Sequence, residues 1–421
     1  MSTCDRSISA RRTRRTLSLL PSLIALLVAS QPAMAASHWT GPALVGPGAE
    51  CGGIAATVDG SGTFHVAAGC ANSIQYSVEG TGTWSATTLS HTPGARESAP
   101  ELAVDGMTLY AAFGRVVDKT TYLVQASDTF ARIADRYGLT VAELLAANPA
   151  IKNPNQIAIG DRLLMPAQAP SVYYRTRALP GGAWSSLKLF GRRGDVLQSF
   201  RAVNGTLHAT VLTARAVIAY QTNASGVLKR YALPGATYLG GPPTSLRVGS
   251  DGLARIVYQA RAGIRYGIFT GAGFQWSDIP DTNGLIDGSP RLVLDARNRA
   301  HVIWARPLDN DATFQPGTFY ATNASGTWTA PGARRITTKT GAHALTMDVI
   351  SGRVHVLLGT QSDVRYYTKA ARGSWSLQTL TAASAASVEI RLDQPKGTLL
   401  AVYAHPPTSR PLAGVYAMTK P

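Results

Sequence analysis

The chain is poor in cysteine, in charge and in long apolar runs. Only three of its 421 residues are cysteine, too few for a disulfide-dense scaffold or a cysteine-ligated metal framework. Charged residues make up 15% and hydrophobic ones 45%, a balance that argues against a disordered chain. Beyond residue 35 no run is apolar and long enough to cross a bilayer. The GxSxG elbow, the HExxH helix and the Walker loop are missing too. Turn material is plentiful instead, with 41 Gly and 24 Pro, as in a globular, mostly β protein.

The apolar run at the N-terminus reads as an export signal spanning residues 1–35. Arg11, Arg12, Arg14 and Arg15 precede the fourteen-residue run Leu17 to Ser30, and Ala33-Met34-Ala35 gives the small-x-small cleavage pattern. "TRRTLS" (13 to 18) also resembles a twin-arginine signal. With no later spanning run and no cysteine close behind the signal, a soluble product in a periplasm or outside the cell is expected. The signal carries five Arg and one Asp, so its loss lowers the formal net charge from +16 to +12. Such a protein is drawn to anionic envelope polymers. No basic stretch is interleaved with aromatics, and nucleic acid is not an expected partner.

Cys4 leaves with the signal, while Cys51 and Cys70 flank a hairpin turning at "DGSG" (59 to 62). Partners across that hairpin sum to 121, as do 51 and 70, so a Cys51–Cys70 disulfide is expected, against two buried free thiols. Closing the 18-residue loop between them contributes about 3 kcal/mol.

Internal repeats set the architecture. "YATNASGTWTA" (320 to 330) repeats "YQTNASGVLKR" (220 to 230), and the tryptophan position recurs at Trp84, Trp184, Trp276 and Trp375. A hairpin of two apolar strands precedes each copy, then a strand carrying Tyr76, Tyr174, Tyr220, Tyr266, Tyr320, Tyr367 or Tyr416. Each unit reads as strands a, b, c and d at a spacing of roughly 45 to 50 residues, typical of propeller blades. The seventh unit stops before strand d, and Trp39 stands where that strand needs it. The chain therefore resembles an all-β, seven-bladed β-propeller closed by its N-terminal strand, which removes an open edge.

Trp84 and Trp184 lie 100 residues apart, double the repeat. The excess falls between strands b (108 to 114) and c (171 to 177) of blade two. "SDTFARIADRYG" (127 to 138) has apolar Phe130, Ile133, Ala134 and Tyr137 at helical spacing. Gly138 ends that helix, and Thr140 with Glu143 forms a capping box for a second. Flanking strands give β-α-α-β. The expected organisation is a first propeller part (36–120), an inserted domain (121–167) and the propeller remainder (168–421).

The insert resembles a LysM domain, on Tyr122, Val124, Asp128, Thr129, Ile133, Ala134, Tyr137, Leu144, Asn148, Pro149, Gly160, Leu163 and Pro166. The resemblance implies binding of N-acetylglucosamine units of peptidoglycan or of chitin-type oligomers. It also implies a groove between Ser127, Asp128, Thr129 and Phe130 on one side and Asn155, Gln156 and Ile157 on the other. Asp128 also reads as a helix cap and Phe130 as core. Ser127 stands where the family usually has glycine, and Ala158 where a larger side chain is common.

Catalysis finds little support in the sequence. His65, His208, His301 and His355 share one repeat position, so they read as blade packing, and no metal or cofactor is expected. The "NASGTW" turns are similar to sialidase Asp-boxes but lack the Asp, and a sialidase also needs three arginines converging on a carboxylate. Long b–c loops at 306 to 318 and 405 to 414 would wall a cleft on the insert's face, with Asp309, Asp311 and Phe314 to watch. The expected function is an envelope protein binding peptidoglycan through the insert, the propeller serving as a platform for a partner protein or second glycan. The alternative is a LysM-targeted hydrolase or lyase.

Overall fold

Strong hairpin chemistry dictates the sheets. In blade three, for example, Asn204 and Gly205 both adopt positive φ (50° and 73°), the twist a two-residue hairpin turn requires. A computed structural model describes residues 39–421, apart from 47–50, 71, 81–82, 223–227, 238–243, 285, 308–315, 329–333, 339–343, 371–372, 394–396 and 406–413. Seven four-stranded antiparallel sheets result. Blade one is Cys51–Val58, Phe64–Cys70, Ser73–Glu79 and Trp84–His91. Blades three to six follow as uninterrupted meanders within 196–232, 244–278, 288–337 and 344–381.

Blade seven takes its a, b and c strands from Ser387–Asp393, Thr398–His405 and Gly414–Lys420, and its d strand from Thr40–Leu44. Thr40 lies opposite Thr419 and Leu44 opposite Tyr416. The N-terminal strand thus closes the ring.

Blade two interrupts its order. Strands a and b, Ala95–Asp105 and Thr108–Val117, are followed by the insert before strand c, Gln168–Ala178, and the short strand d, Lys188–Phe190. The loops carrying Asp309, Asp311 and Phe314, the bulk of 405 to 414, and the signal lie outside the described residues.

The repeated aromatics join neighbouring blades. Trp184 of blade two meets Tyr76 of blade one edge-on at 5.2 Å, and Trp328, Trp375 and Trp39 meet Tyr266, Tyr320 and Tyr366 of the preceding blade in the same way. Such edge-to-face pairs add about 0.5–1.5 kcal/mol each beyond burial. The blade-six partner is therefore Tyr366, one residue before the Tyr367 expected from the pattern. The histidines support the same tyrosines: Nδ1 of His65, His301 and His355 each lies 2.7 Å from the hydroxyl of Tyr76, Tyr320 and Tyr366.

Cys51 and Cys70 form a disulfide and sit opposite one another as expected, but the register along the hairpin is different. Val58 pairs with Phe64 and Thr57 with His65, sums of 122, and a bulge between Cys51 and Ile54 restores the cysteines to facing positions. The bridge ties strands a and b of blade one and lies in the core cluster that this blade shares with blade seven, which also holds Val45 and Val415.

The innermost strands are laced around the central channel. Hydroxyls of Ser199, Ser245 and Ser387 accept the amides of Leu246, Leu292 and Ile54 from the next blade at 3.1 to 3.4 Å.

Candidate glycan-binding site

The insert builds its site from two loops held against a small core. Strands Thr120–Leu123 and Arg162–Met165 pair in register Tyr122 to Leu163. Helix α1 is Phe130–Tyr137 and α2 is Val141–Ala147. Phe130, Ile133, Ala134 and Tyr137, the helical stripe, are all buried with Leu144 and Leu163. Asn148 ties α2 to the sheet, donating to the Leu144 and Leu164 carbonyls and accepting the Leu164 amide at 2.7 Å.

The helix ends follow the expected chemistry with one exchange of roles. Thr140 and Glu143 form the capping box of α2. Gly138 ends α1 at φ 65°, and the Leu139 amide reaches back to Ala134 O at 2.9 Å, the hydrogen bond of a Schellman cap. The N-cap of α1 is Thr129, whose Oγ1 accepts the Arg132 amide at 3.2 Å; Asp128 is not the cap. Asp128 instead accepts the Gln125 amide at 2.9 Å, the Tyr122 hydroxyl at 2.6 Å and Arg136 at 3.1 Å. Burial alone would raise its pKa, but these donors outweigh it and hold the carboxyl below its ordinary value. Asp128 therefore fixes the first loop.

Ser127 adopts φ 68°, the left-handed region that glycine occupies without cost. The second loop docks beside the first: the Gly160 amide donates to Val124 O at 3.0 Å and the Val124 amide to Asp161 O at 2.9 Å. Asp161 closes that loop by accepting the Ala158 amide at 2.8 Å.

Ser127, Thr129, Asn155 and Gln156 are exposed, while Asp128 and Ile157 are half-buried. Phe130 is 2% exposed and belongs to the core, so its ring is withdrawn from the groove. Ile157 packs against the same core from its edge. The apolar side chain that the second loop presents to solvent is Ile159, 73% exposed. Sequence reasoning passed over it; the signal was an isoleucine beside Gly160, at a loop tip where no core position is due.

The insert shares its core and its polar groups with the propeller. Ala95 and Val117 of blade two belong to the insert's own cluster. The carbonyls at the end of α1 are read one after another: Arg136 O by Arg115 at 2.9 Å, Tyr137 O by Gln168 at 3.1 Å and Gly138 O by Arg193 at 3.0 Å. Cations here oppose the negative end of the helix dipole. The Tyr137 hydroxyl donates to Pro93 O at 2.9 Å. A Cβ on Gly138 would stand 2.5 Å from the Tyr173 hydroxyl of strand c, so glycine is needed for approach as well as for φ. The groove is held in one orientation on the ring.

Residues 122–166 match the LysM domain family model. The insert is a LysM domain carried by a seven-bladed β-propeller, and it supports binding of N-acetylglucosamine-containing glycan. No curated protein matches the chain. Among solved structures, virginiamycin B lyase from Staphylococcus aureus, in a catalytically inactive form with quinupristin, is 13% identical with a TM-score of 0.53, covering 91% of this chain and 100% of that one. An ulvan lyase described as a new polysaccharide lyase family is 10% identical with a TM-score of 0.50, covering 89% and 95%. A protein of unknown function from Dyadobacter fermentans is 10% identical with a TM-score of 0.49, covering 91% and 98%. These likenesses concern the fold alone. Among the described residues no helix is long and apolar enough to cross a membrane.

Proposed function

We propose that this is an exported cell-envelope protein, periplasmic or secreted, that holds peptidoglycan through the LysM groove while the propeller presents a platform to an envelope protein or second glycan. The observation that carries the reading is the LysM match over 122–166 together with two loops already tied to one another at Val124, Gly160 and Asp161. The groove is polar with an apolar edge: exposed Ser127, Thr129, Asn155 and Gln156 suit N-acetyl and hydroxyl groups, and Ile159 suits an acetyl methyl or a sugar face. Thr129 caps Arg132 and leaves the first amides of α1 outside the cap, where they serve as donors. The LysM module carries four acidic and four basic side chains, so recognition there is not coulombic. A single groove binds weakly, and its fixed mounting lowers the ordering cost of binding.

The lyase likenesses bring no catalytic residue with them at 13% and 10% identity, so binding is favoured over a LysM-targeted hydrolase or lyase. The test is co-sedimentation of the full chain with purified peptidoglycan sacculi in 0.5 M salt, with soluble fragments assayed after prolonged incubation. Retention in the pellet, its loss in Ile159→Glu, and a supernatant free of fragments are expected. Release of soluble glycan would favour the enzyme reading. Adsorption that salt removes and Ile159→Glu leaves intact would assign the holding to the basic ring surface instead.

A further inference from the structure

The central channel opens into a cavity of about 450 Å³ whose charged lining is Arg201, Arg247, Arg291, Arg391, Glu101 and Glu389. Arg201, Arg247 and Arg291 come from the innermost strands of three successive blades, spaced 46 and 44 residues apart. Two of the four arginines have carboxylate partners: Arg201 lies 2.7 Å from Glu101 and Arg391 lies 2.8 Å from Glu389. The other two have none among the described residues. Arg247 donates to its neighbour's carbonyl, Leu246 O, at 2.8 Å, and Arg291 to Leu345 O at 3.2 Å. Two forked guanidiniums, each with most of its donors unused by the described residues, remain at the wall of one open cavity.

Their surroundings sharpen the point. Both sit deep in the ring yet stay half-exposed, because the surface they touch is the cavity itself. Burial first, then Arg201 and Arg391, pull Arg247 well below its usual basicity, and burial pulls Arg291 down too. Arg391, with Glu389 beside it, goes the other way despite its burial. Glu101 and Glu389 act on both arginines but are already paired with Arg201 and Arg391, and holding further cations out of bulk water with no ion-pair partner of their own is costly. A packed apolar or serine lining would close the ring without that cost, as Ser199, Ser245 and Ser387 do in the same strands.

We propose that the channel is an oxyanion site, in which Arg247 and Arg291 grip a carboxylate, sulfate or phosphate group of a ligand entering from the face that carries the LysM insert. The direction follows from topology. The lining includes Gly53, Val196, Thr244, Ala344 and Ala386, at or just before the starts of the a strands, the side of the ring from which the b–c insert departs. The planar guanidinium fork matches an oxyanion bidentately. The flanking Arg201–Glu101 and Arg391–Glu389 pairs are neutral overall, so the two open arginines favour a ligand of one or two negative charges. The LysM groove plays no part, and failure of either reading leaves the other standing.

The test is thermal unfolding of the full chain in 150 mM NaCl, alone and with 10 mM inorganic phosphate, sulfate or glucuronate. At least one anion raises the Tm of the native protein by about 2–4 °C, the size expected of millimolar binding. The shift disappears in the double variant Arg247→Gln with Arg291→Gln and persists in Arg96→Gln with Arg215→Gln, a surface control that removes the same charge. A response to phosphate and sulfate assigns the site to those groups, and one to glucuronate alone assigns it to an acidic sugar. The pair Arg247→Lys and Arg291→Lys keeps the charge but loses the fork, and by calorimetry it binds the active anion at least tenfold more weakly. No shift with any of the three anions, an equal shift in the glutamine pair, or an unchanged affinity in the lysine pair overturns the proposal.

Discussion

Two sets of arginines are withdrawn from bulk water in this molecule, and they are treated in opposite ways. At the seam between insert and ring, Arg115 is 1% exposed and lies 2.7 Å from Glu97, itself 0% exposed. Its Nε reaches Glu97, Nη1 the carbonyl of Arg136 and Nη2 the hydroxyl of Ser90. In the channel, among the described residues, Arg247 and Arg291 each make one hydrogen bond to a carbonyl and no ion pair. The difference separates a cation used to hold two parts of a fold together from cations left available to a ligand.

The largest expected effect sets the baseline for that comparison, because it involves neither set. Burial holds His208, His301 and His355 down to about 4, from an ordinary 6.5. Between those values the unfolded chain binds protons that the folded ring refuses, so stability falls as pH drops from about 6.5 towards 4. Each histidine costs about 2 kcal/mol by pH 5, read as a falling urea midpoint between pH 7 and pH 5. The insert contains no histidine, so probes in the blades should respond first. A midpoint unchanged over that range would contradict the histidine burial.

Breaking the seam comes next. Arg115→Ala strands the Glu97 carboxylate and costs about 3–5 kcal/mol, whereas replacing both partners with apolar residues recovers most of the loss. Denaturant curves of the single and double variants distinguish the two. The corresponding change in the channel, Arg247→Gln, alters unliganded stability by no more than about 1 kcal/mol, and upward if it moves, because a lone cation is removed. A loss as large as that of Arg115→Ala would erase the distinction. The smallest effect belongs to the groove: Ser127→Gly relieves a left-handed serine and raises the insert's stability by about 0.5–1 kcal/mol, after allowing for glycine's greater freedom when unfolded. Hydrogen exchange at residues 125–130 reads it locally.

The ring was legible in the sequence because its signals are local and repeated. Turn dipeptides, alternating strands and a tryptophan in six of the seven blades, with Leu228 in its place in blade three, reveal the blades, and a seventh unit lacking strand d pointed to Trp39. The capping box at Thr140 and Glu143 was equally plain, since both partners lie within one turn. Details that depend on register or competition were not. A bulge beside Cys51 shifts the hairpin by one, and of the adjacent Tyr366 and Tyr367 it is Tyr366, two residues before the cross-strand partner of His355, whose hydroxyl the histidine meets. Asp128 and Thr129 are both good caps by type, and only the nearby Tyr122 and Arg136 decide that Asp128 serves the loop. Phe130 satisfied the helical stripe and the groove motif at once, and the core claimed it. The channel arginines carried a faint trace, one blade period between Arg201, Arg247 and Arg291, but their convergence and the absence of partners for two of them require the closed ring.

The most direct test of the LysM groove, fixed on its ring, as the glycan reader is hydrogen exchange of the full chain with and without a short N-acetylglucosamine oligomer. Slowed exchange confined to residues 125–131 and 155–161, abolished by Ile159→Glu, is the predicted result. Protection appearing on the propeller strands alone, or surviving that substitution unchanged, would contradict it.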